Sequence, residues 1–420
     1  MNKVNHFRNK IIETYLNGTV NDAIYLGESL LNEHWHNKNF HTKGYMDDLF
    51  NLATMLADLD QYHRALPLFA DSARLISAQY GETAELAMRL TGLGTCMFEV
   101  GMKEPAIFTL GHASAIYLKE TGEDSEAYAD SLYNLGNANA GMGRHKEALK
   151  QHLTALDIRR NLDVRHEITD SLHSLAFIYE KTKNYDKAIE YAKEAMHMCI
   201  GDDETYASAC NYLAEIYEET KQYEDAILLY DRVLEAAITQ TGKEHSAYVN
   251  VAYRRANLLA KTNRPKEALS ELTDVSNIFQ KMNGNSGANH MFYANCLRTM
   301  AIIQNHLGET KASESLMLES MKIRIHTEED LTKELIFLIE MYLANNDPDK
   351  ALETLIYALM RTSTDNPSFE KIINDLTNAF LKSDLTYVPQ IMEAMENLND
   401  AIKLFPIVSK WSEWENEAFD

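Results

Sequence analysis

Three histidines stand close together near the amino terminus, namely His34, His36 and His41 around Trp35. Imidazole nitrogens are common ligands of zinc and other transition metals. No carboxylate pattern next to this cluster completes a metal site. The motifs HExxH and GxxxxGK[ST], which indicate a zinc peptidase or a phosphate-binding loop, are absent from the sequence. We therefore predict no metal and no cofactor.

A second candidate for chemistry is the pair Arg160-Asn161 followed by His166. Its spacing resembles that of the HEPN-type ribonucleases, in which the arginine and the histidine would position and protonate a scissile phosphate. Arg159 and Arg160 also match the charged end of a helix, and an acidic surface opposes RNA binding. No serine or cysteine can be paired with a general base from spacing alone. Ribonuclease activity remains the enzymatic alternative, and we predict a protein that is not an enzyme.

The composition restricts the class of partner and the compartment. The chain has 420 residues, with 40 Lys+Arg against 63 Asp+Glu and a net charge of -23. Such a surface repels nucleic acid and anionic membranes, so we expect a protein or peptide partner of basic or apolar character. The four cysteines form no CxxC motif, which favours a reduced, cytoplasmic compartment. Because residues 1–20 hold no signal-type apolar run and no stretch of 18 apolar residues occurs, we expect neither export nor a membrane span.

A repeated pair of small residues indicates which elements must position these side chains. The chain is poor in Gly (17) and Pro (7), and its 45% of hydrophobic residues can bury a large helical core. A Gly or Ala is followed twelve positions later by an Ala, and successive second alanines are 38 to 44 residues apart. The clear copies are Ala53/Ala65, Gly94/Ala106, Gly136/Ala148, Ala176/Ala188, Ala214/Ala226 and Ala256/Ala268, and weaker copies centre on Ala23, Ala312 and Ala351.

Each copy predicts a helix hairpin. Apolar residues recur with helical spacing, as at Leu172, Leu175 and Tyr179, and a polar turn such as Lys183-Asn184 interrupts them. Two helices that cross at about 8–10 Å need small residues at the crossing point. One hairpin leaves an apolar stripe exposed, which the next hairpin must cover. The pattern therefore predicts an all-α chain of stacked pairs, nine to ten in number, with the tenth from 372 to about 399.

The pattern Leu-Gly/Ala-x-x-Tyr followed by Ala-x-x-x-Phe/Tyr resembles the tetratricopeptide repeat. Leu213, Ala214, Tyr217, Ala226 and Tyr230 match it, and the resemblance covers roughly residues 4–360. The early Trp and the closing Pro of the family are mostly missing, and the long spacing resembles the kinesin-light-chain subclass. The resemblance implies a right-handed α-solenoid, a fold that is used mainly to hold proteins and peptides.

The carboxyl-terminal part of the chain departs from the repeat. We predict a solenoid over 1–360 and an irregular helical cap over 361–420. In this cap four aromatic residues would cover the last exposed stripe, namely Phe405, Trp411, Trp414 and Phe419.

The resemblance also implies where a ligand would bind, because the first helix of each tetratricopeptide pair lines a concave groove. Groove positions lie three and two residues before the small residue and one residue after it. Asparagine amides there can donate to and accept from a peptide backbone, and aromatic rings can anchor it. Asp47, Asp130 and Asp170 on the same face predict an acidic rim. The predicted binding residues are Phe50, Asn51, Tyr133, Asn134, Asn137, His173, Phe177, Asn211, Glu215, Tyr253, Arg254 and Asn257.

The function that these residues indicate is a non-catalytic scaffold or adaptor that binds a peptide or a partner protein in its groove. One alternative is a regulator that responds to a peptide pheromone and resembles the bacterial Rap-type receptors. No helix-turn-helix is visible in residues 1–45, which weighs against that alternative. The other alternative is an enzyme or toxin component such as the ribonuclease above.

Overall fold

A computed structural model describes residues 3–38, 40–201, 203–283, 287–327 and 330–361. The chain divides into two compact units, residues 1–216 and 217–420. Over the described ranges all regular structure is α-helical, in eighteen helices that form nine pairs. The predicted all-α solenoid of helix pairs is thereby confirmed. The predicted tenth pair and the cap, with Phe405, Trp411, Trp414 and Phe419, lie outside the described residues and stay predictions.

Unit 1 contains five complete helix pairs and most of the first helix of the sixth. Its helices are α1 (Lys3–Leu16), α2 (Val20–Asn37), α3 (Lys43–Ala57), α4 (Tyr62–Tyr80), α5 (Ala84–Glu99), α6 (Lys103–Thr121), α7 (Glu126–Gly141), α8 (His145–Leu162), α9 (Arg165–Lys181), α10 (Tyr185–Met198) and α11 (Asp203–Glu219). Over its described residues unit 2 continues with α12 (Tyr223–Gln240), α13 (Ser246–Lys261), α14 (Pro265–Asn283), α15 (Gly287–His306), α16 (Thr310–His326), α17 (Thr332–Ala344) and α18 (Pro348–Arg361).

The turn inside each described pair contains one residue in the left-handed backbone region. In the fifth pair the N–H of Lys183 donates to the carbonyl of Glu180 and that of Asn184 donates to the carbonyl of Tyr179, both at 2.8 Å. These two bonds close the end of α9 as a Schellman motif and reverse the chain. The residues at positive φ, between 56° and 88°, are Gly18, Asp60, Gly101, Gly143, Lys183, Lys221, Asn263, Gly308 and Asn346.

The repeated small residues lie where the two helices of a pair cross. Ala176 and Ala188 are fully buried, as are the alanines of the other clear copies. A Cβ on Gly94 would come within 2.7 Å of a side-chain carbon of Leu110, so this crossing has no room for a methyl group. Close approach of the helix axes therefore explains the pattern.

One predicted register is wrong. Ala312 is exposed, and the buried position of the eighth pair is taken by Ser313, twelve residues after Ala301. The hydroxyl of Ser313 donates to the carbonyl of Ala301 at 2.7 Å. A serine is small enough for the crossing and satisfies its hydroxyl within the pair, which a search for alanine alone misses.

Four successive first helices of unit 1, namely α3, α5, α7 and α9, form a continuous wall. Consecutive helices pack against each other from α1 through to α10, and in addition α3 contacts α5, α5 contacts α7 and α7 contacts α9. No comparable contact joins α4 to α6 or α6 to α8. Neighbouring first helices therefore contact one another from α3 to α9. We call the surface of α3, α5, α7 and α9 the inner wall.

Candidate functional site

Three asparagines of the inner wall have side-chain amides that the fold does not use. Asn51 on α3 and Asn137 on α7 are exposed, and Asn134 on α7 is partly exposed. Their neighbours within the described residues give these amides no hydrogen bond, although each could donate two and accept two. They occupy the repeat positions that we predicted to line the groove. They can therefore bind the polar groups of an added peptide backbone.

An exposed aromatic side chain lies on the same wall. Phe177 on α9 is 44% exposed, and the ammonium of Lys181 lies 4.9 Å from the centroid of its ring. Covering this exposed ring with a partner would lower the free energy, because apolar surface would be removed from water. Phe177 is therefore available as an apolar anchor.

The two other aromatic residues that we predicted on this wall take part in packing. The ring of Phe50 lies edge-on to Phe69 at 5.5 Å, with the guanidinium of Arg89 5.3 Å from its centroid. Tyr133 lies between His152 at 5.3 Å and the guanidinium of Arg159 at 4.6 Å. Both rings are partly buried, so they shape the wall more than they offer free area.

His173 on α9 faces the next first helix. Its ring lies 6.3 Å from that of Tyr212, whose hydroxyl donates to Glu180 at 2.9 Å. Burial lowers the pKa of His173. Burial and the nearby charge of Glu180 both raise the pKa of Tyr212. His173 therefore takes part in packing between neighbouring first helices.

Asn211 and Glu215 lie one turn apart on α11. The amide of Asn211 donates to the carboxylate of Glu215 at 3.1 Å, and its carbonyl oxygen is buried without a hydrogen-bond partner among the described residues. The donor side of this asparagine is already engaged. It differs in this respect from Asn51, Asn134 and Asn137.

In unit 2 the predicted binding residues are largely satisfied by their own neighbours. The amide of Asn257 donates to the carbonyl of Tyr253 at 2.8 Å, and the ring of Tyr253 lies 5.2 Å from that of Phe292. Arg254 donates to Glu218 at 3.1 Å. These three residues stay predictions, and their contacts make them weaker candidates than the free amides of unit 1.

The acidic side chains of the predicted rim are partly neutralised by buried arginines. Asp47 pairs with Arg89, which also donates to Ser72 at 2.9 Å. Asp130 pairs with Arg159 at 2.6 Å. The third rim residue, Asp170, lies 3.6 Å from the exposed imidazole of His166. Since a buried guanidinium needs a carboxylate partner, two of the three aspartates hold the helices together.

Sequence reasoning missed these arginines, although a signal was present. The position five residues before the small residue is buried, and in other copies it holds Ser131, Ser171 and Cys296. Arg89 and Asp48 are at this position, where the other copies hold small or apolar residues, so a charge at this register could have indicated a buried ion pair.

Comparison with known proteins decides what the paired helices are. Residues 127–200, 167–238 and 204–281 each match the family model of the tetratricopeptide repeat. Over 277 residues the chain is 24% identical to Protein KINESIN LIGHT CHAIN-RELATED 3 of Arabidopsis thaliana. The aligned region covers 64% of this chain and 42% of that relative. The protein carries tetratricopeptide repeats of the kinesin-light-chain-like type. It spans about two fifths of the length of this curated relative.

Solved structures resemble the tetratricopeptide repeats of this chain at low identity. BtubC (BKLC) from P. vanneervenii is 18% identical with a TM-score of 0.43, and covers 53% of this chain and 91% of its own. The apo form of RapI is 15% identical with a TM-score of 0.45, and covers 66% of this chain and 97% of its own. Likenesses of this size identify neither a partner nor an activity.

The three amino-terminal histidines differ in their surroundings. His34 is buried and donates to Asp48 at 2.8 Å, while His36 and His41 are exposed. Asp48 also accepts two bonds from Arg8, at 2.8 and 2.7 Å. Over the described part of the chain, no group of three or more His, Cys, Asp or Glu side chains is placed to hold a metal ion. Among the same residues, no helix is both long and apolar enough to cross a bilayer.

The residues of the ribonuclease alternative are held by different partners. Arg160 donates to Glu194 on α10 at 2.5 Å. His166 is 85% exposed at the start of α9, beside Asp170. The structure therefore gives no observation that favours phosphate chemistry at this pair.

Proposed function

We propose that this tetratricopeptide repeat protein is a non-catalytic interaction module that binds an extended segment of a partner protein along the inner wall of unit 1. The observation that carries the proposal is the set of three free amides, Asn51, Asn134 and Asn137, on helices whose other polar side chains are mostly paired. A peptide backbone presents the donors and acceptors that such amides need. Phe177 supplies the apolar area on the same wall.

The charge of the chain supports a partner of a particular kind. A net charge of -23 attracts basic segments and repels acidic ones. We therefore place a basic or apolar segment on the wall. Binding in the cytoplasm is part of the proposal, since all four cysteines are buried and free.

The test uses variants of the wall with matched controls on second helices. Asn137→Ala and Phe177→Ala are compared with Asn161→Ala and Phe108→Ala, which truncate an exposed Asn on α8 and an exposed Phe on α6. A partner captured by the wild-type protein is purified, and its affinity for each variant is measured by calorimetry. We expect each wall variant to weaken binding about tenfold or more, because an anchor costs about 2 kcal/mol when truncated.

The controls are expected to bind like the wild type. Equal losses in the wall and control variants, or unchanged affinity in all four, would show that the partner does not use the inner wall.

A further inference from the structure

A cavity of about 280 Å³ opens between α1, α2 and α3 at the amino-terminal end of unit 1. Its apolar lining comes from Ile11 and Ile12 on α1, Leu30 on α2, and Leu52 and Met55 on α3. Leu30 and Leu52 are buried, whereas Ile12 is 58% exposed at the mouth. The cavity is thus an open, apolar site that the described chain leaves unfilled.

Two glycines lie near the cavity. Gly27 on α2 lines the cavity without a side chain. A Cβ on Gly44 would lie 2.4 Å from the Nη2 atom of Arg8, so a larger residue there would require the guanidinium of Arg8 to shift.

The charged side chains at the rim of the cavity are all paired, one of them with a buried arginine behind the rim. Arg8 pairs with Asp48, and Asp47 pairs with Arg89, so two guanidinium groups balance two carboxylates. Arg8 and Asp47 are partly exposed at the mouth, with side-chain accessibilities of 34% and 40%. The free amide of Asn51 lies one helical turn after Asp47.

This charge balance selects the occupant. A lysine, arginine or acidic side chain would lose water of hydration and find its counter-charges already paired, which costs free energy. An aliphatic side chain would leave water and contact Leu30, Leu52 and Met55, which is favourable because apolar surface is removed from water. The volume lies just below the range of about 300–1,000 Å³ that is typical of sites for drug-sized ligands, so it suits one side chain with its flanking peptide units.

We propose that the cavity is a specificity pocket that receives one uncharged aliphatic side chain of the bound segment, while Asn51 and Arg8 bind the adjacent peptide groups. This rests on the proposed function and names the chemistry of one contact. Asn51 belongs both to the inner wall and to the rim, so a segment on the wall can reach the cavity.

The test titrates the full chain with N-acetyl-leucine N-methylamide, which is one aliphatic side chain between two peptide groups. Methyl NMR resonances of Ile11, Ile12, Leu30, Leu52 and Met55 report on occupancy. We expect saturable shifts of these resonances with the leucine probe and none with the corresponding lysine and glutamate amides. Ile12→Trp should block the mouth and weaken binding at least tenfold, and Asn51→Ala should weaken it several-fold.

A matched control is Ile238→Trp, which enlarges an exposed isoleucine of similar accessibility on α12. It should leave the titration unchanged. Shifts that never saturate, shifts of equal size with the charged probes, or saturation unaffected by Ile12→Trp would overturn the proposal. The two proposals can fail separately. If Phe177→Ala loses partner binding but the leucine probe causes no shifts, only the pocket proposal is wrong. If the leucine probe titrates specifically but the wall variants keep their partner affinity, only the proposed binding along the inner wall is wrong.

Discussion

At the scale of single residues, the most unusual side chain of unit 1 is His152. It is fully buried on α8, and neither of its ring nitrogens has a hydrogen-bond partner among the described residues. Gly136 makes room for the ring, since a Cβ there would come within 2.7 Å of Nε2. Burial, helped by the charge of Arg159, lowers the pKa of His152 from 6.5 to about 4. The folded protein therefore keeps this imidazole neutral.

A pH dependence of stability follows from that lowered pKa. Between pH 6.5 and about 4 the unfolded chain binds a proton at His152 and the folded chain does not, so folding loses stability as the pH falls, by up to about 3 kcal/mol. His152→Leu should remove this contribution, because Leu110 fills the same register position in the previous pair. Urea unfolding at pH 7 and pH 4.5, compared between wild type and variant, measures it. The control His63→Leu changes an exposed histidine and should keep the wild-type dependence of stability on pH. If the free energy of unfolding changed equally between the two pH values in all three proteins, this account would be contradicted.

At the scale of elements, the turns inside the pairs carry a measurable strain. Lys183 holds φ at 59° and Gly143 at 72° in equivalent turns. A side chain costs about 1 kcal/mol in this region, and glycine does not. A Cβ on Gly143 would meet no atom within 4 Å, so only the backbone decides the outcome there.

Opposite substitutions in these two turns should have opposite effects. We expect Lys183→Gly to raise the free energy of unfolding by up to about 1 kcal/mol and Gly143→Ala to lower it by about the same amount. Denaturant titration of the two variants beside the wild type gives both values. If both variants changed stability in the same direction, backbone strain in the turn would not be the cause.

At the scale of the whole molecule, the excess of acidic residues opposes the compact state. With a net charge of -23, self-repulsion should weaken as salt rises. Raising NaCl from about 0.01 M to about 0.1 M shortens the screening length from about 30 to about 10 Å. We expect the urea midpoint of unfolding to rise over this interval. A midpoint that falls would mean that exposed ion pairs such as Arg64 with Glu28 outweigh the repulsion.

A charge variant separates these two effects. Glu99, Glu123 and Asp157 are exposed, and changing all three to Lys alters the net charge from -23 to -17. This variant should be more stable than the wild type at low salt and should respond less to added salt. Equal salt responses of the two proteins would remove self-repulsion as the explanation.

The amino-acid sequence by itself determined the helix pairs and their spacing. Helical periodicity and paired small residues such as Ala176 and Ala188 are local properties, because each depends on side chains within one hairpin. The same reasoning placed Asn51, Asn137 and Phe177 on one face of their helices, and the structure leaves all three exposed.

Only the tertiary structure decided which of these side chains stay free. Tyr133 is covered by His152 and Arg159, and Asp47 is paired with Arg89 from the next first helix. Such contacts join residues far apart in the chain, and their geometry depends on how neighbouring helices pack, which helical periodicity does not encode. For the same reason the cavity beside Asn51, bounded by three helices, became visible only in the folded chain.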